Sequence, residues 1–255
     1  RERMAQGFSA VKMNATPAIS ALGERATIDA AVERVGALRD AFGPGLDIGL
    51  DLHGRVPRPA LKPLLAELQQ FHPMWVEEAT TPENEESLKV LARAAGSIPV
   101  ATGERLSSRW EVKRVLDTGA VDIIQPDVSI TGLFELEKIA RLAEIYDVAV
   151  APHCPNGPIS LAASLQVGFC APNVVIQEQS LGLHYHQGFN GLPKAEMHDY
   201  LADAAPLTTI DGAFRPLTGP GLGIDIAGGK VEAAATDWFL PDADWTHPDG
   251  TYAEW

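Results

Sequence analysis

Asp51, Glu77, Glu104, Asp127, His153 and Glu178 recur at intervals of 26, 27, 23, 26 and 25 residues, and each closes a short apolar run. The runs are Ile48-Gly49-Leu50, Met74-Trp75-Val76, Val100-Ala101, Val121 to Ile124, Val148 to Val150 and Val174-Val175-Ile176. A crossover between parallel strands takes at least about a dozen residues, usually with a helix, so each interval fits one strand, one helix and two loops. Ionisable groups at the carboxyl ends of successive parallel strands are where β/α barrels carry their chemistry. The spacing predicts an enzyme.

Asp51, Glu77 and Glu104 would end adjacent strands with their carboxylates directed at one point. Three such groups repel one another and take up protons unless a cation intervenes. A hard divalent ion with a preference for oxygen, Mg²⁺, resolves that conflict. Single acids at loop starts are ordinary surface residues; three in register are not. Asp127 and His153 end neighbouring strands, each preceded by proline (Pro126, Pro152). A carboxylate beside an imidazole fixes its tautomer and steadies the imidazolium, which a general base requires.

His53 lies two residues beyond Asp51, on the same side of an extended chain, and Gly54-Arg55 follows with an open backbone and a cation. It is a second candidate for proton transfer. Glu178, within Gln177-Glu178-Gln179, could hold substrate or form a structural ion pair. Lys12 and Asn14 alternate onto one face of the first visible strand, suited to a substrate carboxylate or hydroxyl. Arg105, directly after Glu104, is expected to support substrate binding from behind. Gly219-Pro220-Gly221-Leu222-Gly223 lacks the strand-then-helix setting of a nucleotide loop and reads as a turn. His184 and His186 resemble a metal pair only by proximity, and nothing marks Cys154 as an activated thiolate.

The elements that position these groups are legible as well. Ile28 to Phe42, Arg58 to Phe71, Glu83 to Ala95, Arg109 to Thr118, Leu133 to Tyr146 and Ile159 to Phe169 carry apolar residues at helical spacing. Alternation with Val- and Ile-rich runs predicts an α/β fold with a parallel sheet. Seven strands are expected, the first at Ala10 to Met13, preceded by the last turn of a helix. An eighth strand, needed to close a barrel, would lie upstream of Arg1 or be replaced by something else. The character changes after Ser180, so residues 1–180 are assigned to a catalytic β/α barrel and 181–255 to a C-terminal extension. The extension holds a short hairpin at Asp211 to Leu217, and Trp238, Trp245, Tyr252 and Trp255 crowd its end. So many aromatics predict burial against other polypeptide, and hence a homo-oligomer.

Composition narrows the function. A net charge of −14 over 255 residues argues against nucleic acid and anionic membranes as partners. It leaves room for a small anionic substrate where a cation reverses the local field. No apolar stretch reaches membrane-spanning length. Two cysteines without metal-type spacing fit free thiols in a reducing cytoplasm.

Taken together, Lys12-Met13-Asn14, Asp51-Leu52-His53-Gly54-Arg55, Val76-Glu77-Glu78, Gly103-Glu104-Arg105, Ile124-Gln125-Pro126-Asp127, Ala151-Pro152-His153-Cys154-Pro155 and Gln177-Glu178-Gln179-Ser180 resemble the enolase superfamily. Within it they resemble the mandelate racemase subgroup, and most closely the D-galactonate dehydratases. The resemblance implies a modified TIM-type (β/α)₇β barrel whose N-terminal capping domain and first strand are absent from this chain. It implies Mg²⁺ on Asp51, Glu77 and Glu104, and His153, paired with Asp127, removing the proton α to a carboxylate. His53 would protonate the departing 3-hydroxyl, and Glu178 would hydrogen-bond substrate or intermediate, giving a 2-keto-3-deoxy sugar acid. Ala79-Thr80-Thr81-Pro82 departs from the family, which has proline directly after the paired acids. Racemisation, epimerisation or cycloisomerisation through the same enolate is the alternative. Asn14, which cannot act as a base, disfavours it. A barrel that binds sugar acids without turnover has no use for an oriented base.

Overall fold

The computed structural model describes residues 1–17, 19, 23–81, 84–180 and 197–234. His184, His186 and the terminal aromatics lie outside the described residues. Six strands alternate with helices: α1 Glu2–Ala5, β1 Ala10–Asn14, α2 Arg25–Phe42, β2 Asp47–Asp51, α3 Arg58–Leu68, β3 Trp75–Glu77, α4 Glu85–Ala95, β4 Val100–Thr102, α5 Arg109–Asp117, β5 Ile123–Ile124, α6 Val128–Thr131, α7 Leu133–Ile145, β6 Ala149–Val150, α8 Pro158–Gly168 and, late in the chain, α9 Gly228–Ala234. The described chain divides into two units.

The first unit holds residues 9–103 and 110–124. Its strands β1 to β5 pair in parallel, each with the next in sequence. Ile48, Leu50, Val76, Val100, Ala101 and Ile124 are all buried, the continuous apolar pattern of a parallel sheet covered on both faces. The helices begin and stop on local signals. Asn84 caps α4 by accepting from the Ser87 amide at 3.3 Å. Glu85 and Glu86 occupy its first turn, and Gly96 ends it with positive φ. β5 starts later than the apolar run from Val121 because Asp122 uses its side chain in the ladder. The Asp122 amide donates to the Val100 carbonyl at 2.9 Å. Its carboxylate accepts from the Val100 amide at 2.8 Å, in place of a carbonyl.

The second unit holds residues 1–8 and 104–109 together with the described part of 125–234. Cys154, Leu161, Ala162, Leu165, Leu201 and Leu207 form its apolar centre, packed by Phe214, Leu217, Leu222 and Ile224. The run at Val174 to Ile176, expected as a seventh strand, is reduced to one parallel bridge between Val174 and Val150. β6 is itself two residues long, and Val175 is 63% exposed, so little is gained by extending the pairing. Ile210 and Ala213 bridge antiparallel across Asp211 and Gly212, both at positive φ, so the expected hairpin closes as a two-residue Asp-Gly turn. Gly7 and Gly212 meet backbone to backbone. A Cβ on Gly7 would lie 2.4 Å from the Asp211 carbonyl carbon, and one on Gly212 would lie 2.3 Å from the Gly7 oxygen.

Candidate active site

In the first unit, Asp51 is the last residue of β2 and the register partner of Asn14 on β1 and of Glu77 on β3. Glu77 is fully buried. Isolating a carboxylate from water costs several kcal/mol unless its oxygens are satisfied, and both are. Lys12 Nζ donates to Oε1 at 2.5 Å, and Trp75 Nε1 donates to Oε2 at 2.9 Å. Residues 75 and 77 share one face of β3 because side chains alternate along a strand. The indole needs space on β2, where Gly49 is the register partner of Trp75. A Cβ at Gly49 would come within 3.1 Å of the ring. Lys12 is half-buried and Asn14 exposed.

The placement of His53 corrects the sequence argument. The chain is not extended beyond Asp51. His53 has φ 48°, its amide donates to Asp51 Oδ1 at 2.8 Å, and the Arg55 amide closes a turn on the Leu52 carbonyl at 2.9 Å. The imidazole is half-buried on a turn anchored by the acid, so strand alternation does not set its direction.

Glu78 was overlooked as a site residue. It is buried, and its Oε1 accepts from Thr102 Oγ1 at 2.6 Å and from the Gly103 amide at 2.8 Å, which pins the end of β4. The doubled acid of Val76-Glu77-Glu78 was the available signal.

In the second unit, Glu104 is buried and Arg105 beside it is exposed. His153 Nε2 lies 3.5 Å from Glu104 Oε2, and His153 Nδ1 lies 2.8 Å from Asp127 Oδ2. Asp127 caps α6. Its Oδ1 accepts from the amide and the hydroxyl of Ser129, both at 2.7 Å, and its Oδ2 also accepts from Asn156 Nδ2 at 2.9 Å. Burial alone would push this carboxyl up. The hydrogen bonds from His153 and from the Ser129 hydroxyl and amide outweigh it and hold Asp127 below the ordinary 3.8. An ionised carboxylate only accepts, so Nδ1 is the nitrogen that donates to Asp127. The sequence reading found the dyad but missed Ser129 and Asn156, which lie two and three residues beyond its members.

The loop bearing His153 is strapped by side chains of residues 177–180. Glu178, half-buried, accepts the Cys154 amide on Oε2 at 2.8 Å. Gln177 Nε2 donates to the Pro152 carbonyl at 3.3 Å, and Ser180 Oγ donates to the Pro155 carbonyl at 2.6 Å. Ser164 holds Gln177 in turn, donating to its Oε1 at 2.8 Å. The Cys154 thiol is pushed up to about 12 by burial, with Asp127 and Glu178 adding negative charge. It is a packed thiol, not a nucleophile.

Among the described residues, no three His, Cys, Asp or Glu side chains are gathered closely enough to hold a metal ion unaided. Asp51, Glu77 and Glu104 are each buried carboxylates, the type of oxygen donor that a hard cation takes.

Comparison with known proteins places this geometry. The chain is similar to an enolase, provisionally a galactarate dehydratase, from Agrobacterium radiobacter, solved with sodium and L-malate. The two are 28% identical with a TM-score of 0.83, over 99% of this chain and 65% of that one. A provisional mandelate racemase/muconate lactonizing enzyme from Burkholderia SAR-1 is 32% identical, with a TM-score of 0.79 over 92% of this chain and 56% of the other. A provisional dehydratase from Mesorhizobium loti is 28% identical, with a TM-score of 0.80 over 91% and 60%. This chain therefore spans about three-fifths of the length of these relatives. The family described as Enolase C-terminal domain-like matches residues 1–230, so the chain belongs to that family, with its α/β barrel architecture.

Proposed function

We propose that the chain is the catalytic portion of a Mg²⁺-dependent hydro-lyase that dehydrates a sugar acid, a D-galactonate-type aldonate, to a 2-keto-3-deoxy acid. The observation that carries this reading is His153, held by Asp127 through Nδ1, which makes Nε2 the nitrogen that takes a proton.

Asp51, Glu77 and Glu104 would hold the metal, which when bound polarises the substrate carboxylate and makes its α-proton removable. His153 takes that proton at Nε2, and Asp127 steadies the imidazolium that results. Lys12, beside Glu77, adds positive charge where the enolate develops. Asn14 and Arg105 would contact hydroxyls of the sugar chain. His53 donates a proton to the 3-hydroxyl, because hydroxide is a poor leaving group. Glu178 would hydrogen-bond the substrate from the strap behind His153. The enol then tautomerises to the 2-keto product.

The test is to incubate the full-length protein with Mg²⁺ and a panel of aldonates and aldarates, trapping 2-keto acid with semicarbazide. Formation of a 2-keto-3-deoxy acid is expected; a stereoisomer with no keto product would refute dehydration. In D₂O, His53→Asn is expected to keep α-proton exchange while dehydration falls by about 10² or more. Joint loss of exchange and dehydration would remove His53 from the acid role.

A further inference from the structure

We infer that Asn156 and Ser129 are positioning residues that lock the Asp127 carboxylate and thereby hold His153 in a single tautomer and ring orientation; this rests on the proposed role of His153 as the base. A carboxylate offers about four lone-pair sites. At Asp127 four donors fill them: the Ser129 amide and hydroxyl on Oδ1, and His153 Nδ1 and Asn156 Nδ2 on Oδ2. Asn156 Nδ2 also lies 3.2 Å from Ser129 Oγ, so the two clamp residues order each other.

The consequence is geometric. With only His153 as donor, the carboxylate could rotate about its Cβ–Cγ bond, swap oxygens and let the imidazole swing. With both oxygens occupied, rotation breaks at least two hydrogen bonds to protein donors in a buried position. Asp127 is 2% exposed, so water cannot replace them. One oxygen therefore faces Nδ1 in a fixed plane, and Nε2 stays directed at Glu104, 3.5 Å away. The two clamps come from different elements. Ser129 lies in the first turn of α6, and Asn156 lies in the loop between β6 and α8. The carboxylate is thus held by two segments of the chain besides the one that bears the imidazole. Partners of this kind, which act through a functional residue, typically contribute about 10- to 100-fold to activity.

The experiment uses full-length protein with Mg²⁺, ¹⁵N-labelled at histidine, with His153 assigned through His153→Gln. Wild type is expected to show one neutral tautomer of His153, protonated at Nδ1. Ser129→Ala and Asn156→Ala should each admit a fraction of the Nε2-protonated form, and Ser129→Thr, which keeps the hydroxyl, should restore the single tautomer. α-Proton exchange on the best acid sugar should fall about 10- to 100-fold in kcat in the double variant, with KM within about 3-fold. A wild type protonated at Nε2, or a double variant that keeps one tautomer and full kcat, overturns the clamp. The expected tautomer pattern with no acid sugar turned over would instead refute the proposed function and leave the clamp standing.

Discussion

Asp127 shows how one side chain serves stability and chemistry together. Its folded-state affinity for a proton lies below the ordinary value of 3.8. The stabilisation it contributes is therefore complete above pH ~3.8 and is lost as pH falls through the lower folded-state value. Asp127→Asn should cost about 1–3 kcal/mol in urea unfolding at pH 7. The gap to wild type should close in acid below that point; a constant gap down to pH 2 would show that ionisation is not its source. The two thiols make a second contrast. Cys170 is exposed and Cys154 buried, with the latter's ionisation raised to about 12. Iodoacetamide at pH 8 should label Cys170 alone in the native protein, as read by mass spectrometry of the peptides. At this scale the sequence was informative about identity and silent about direction. Asp127 and His153 were paired from spacing alone. The direction of His53 was not legible from alternation, because its own left-handed backbone turns the chain where alternation assumed extension. Trp75 was read as strand filler, since nothing in its own letter reveals the hydrogen bond to Glu77.

Elements were the more legible level. The six interval helices fall within three residues of their expected limits, because burial of one face imposes a period that survives in sequence. Strand lengths were less legible. β5 and the Val174 run shortened where Asp122 and Gln177 satisfied backbone groups with side chains, an exchange that hydrophobic pattern does not register. The Asp211-Gly212 turn is a case where local chemistry and tertiary contact reinforce each other. Gly212→Ala combines strain at φ 73° with a clash against Gly7, and should cost about 2–4 kcal/mol. Gly221→Ala, at φ 63° with open space around it, should cost about 1 kcal/mol, from strain alone. Thermal unfolding of both variants measures the difference; equal costs would show that the Gly7 contact is slack.

For the molecule as a whole, family membership is established over residues 1–230. No described helix is long and apolar enough to cross a membrane. If Asp51, Glu77 and Glu104 hold Mg²⁺, full-length protein should gain about 2.7 kcal/mol at a free concentration 100 times Kd. The gain would be read as a higher Tm, abolished by EDTA and by Glu77→Gln. An EDTA-insensitive Tm would count against the site.

The meeting of Gly7 with Gly212 also sets a timetable for biosynthesis. The two residues are 205 positions apart in the chain. At translation rates of about 5–20 residues per second, residue 7 leaves the ribosome roughly 10–40 s before its docking partner has been made. During that wait the early segment around α1 lacks its permanent seat, while β1 to β5 can already pair. Chaperone capture or proteolytic nicking during synthesis should therefore concentrate in the segment around α1, and a ribosome stalled before Gly212 is added should display that segment most clearly.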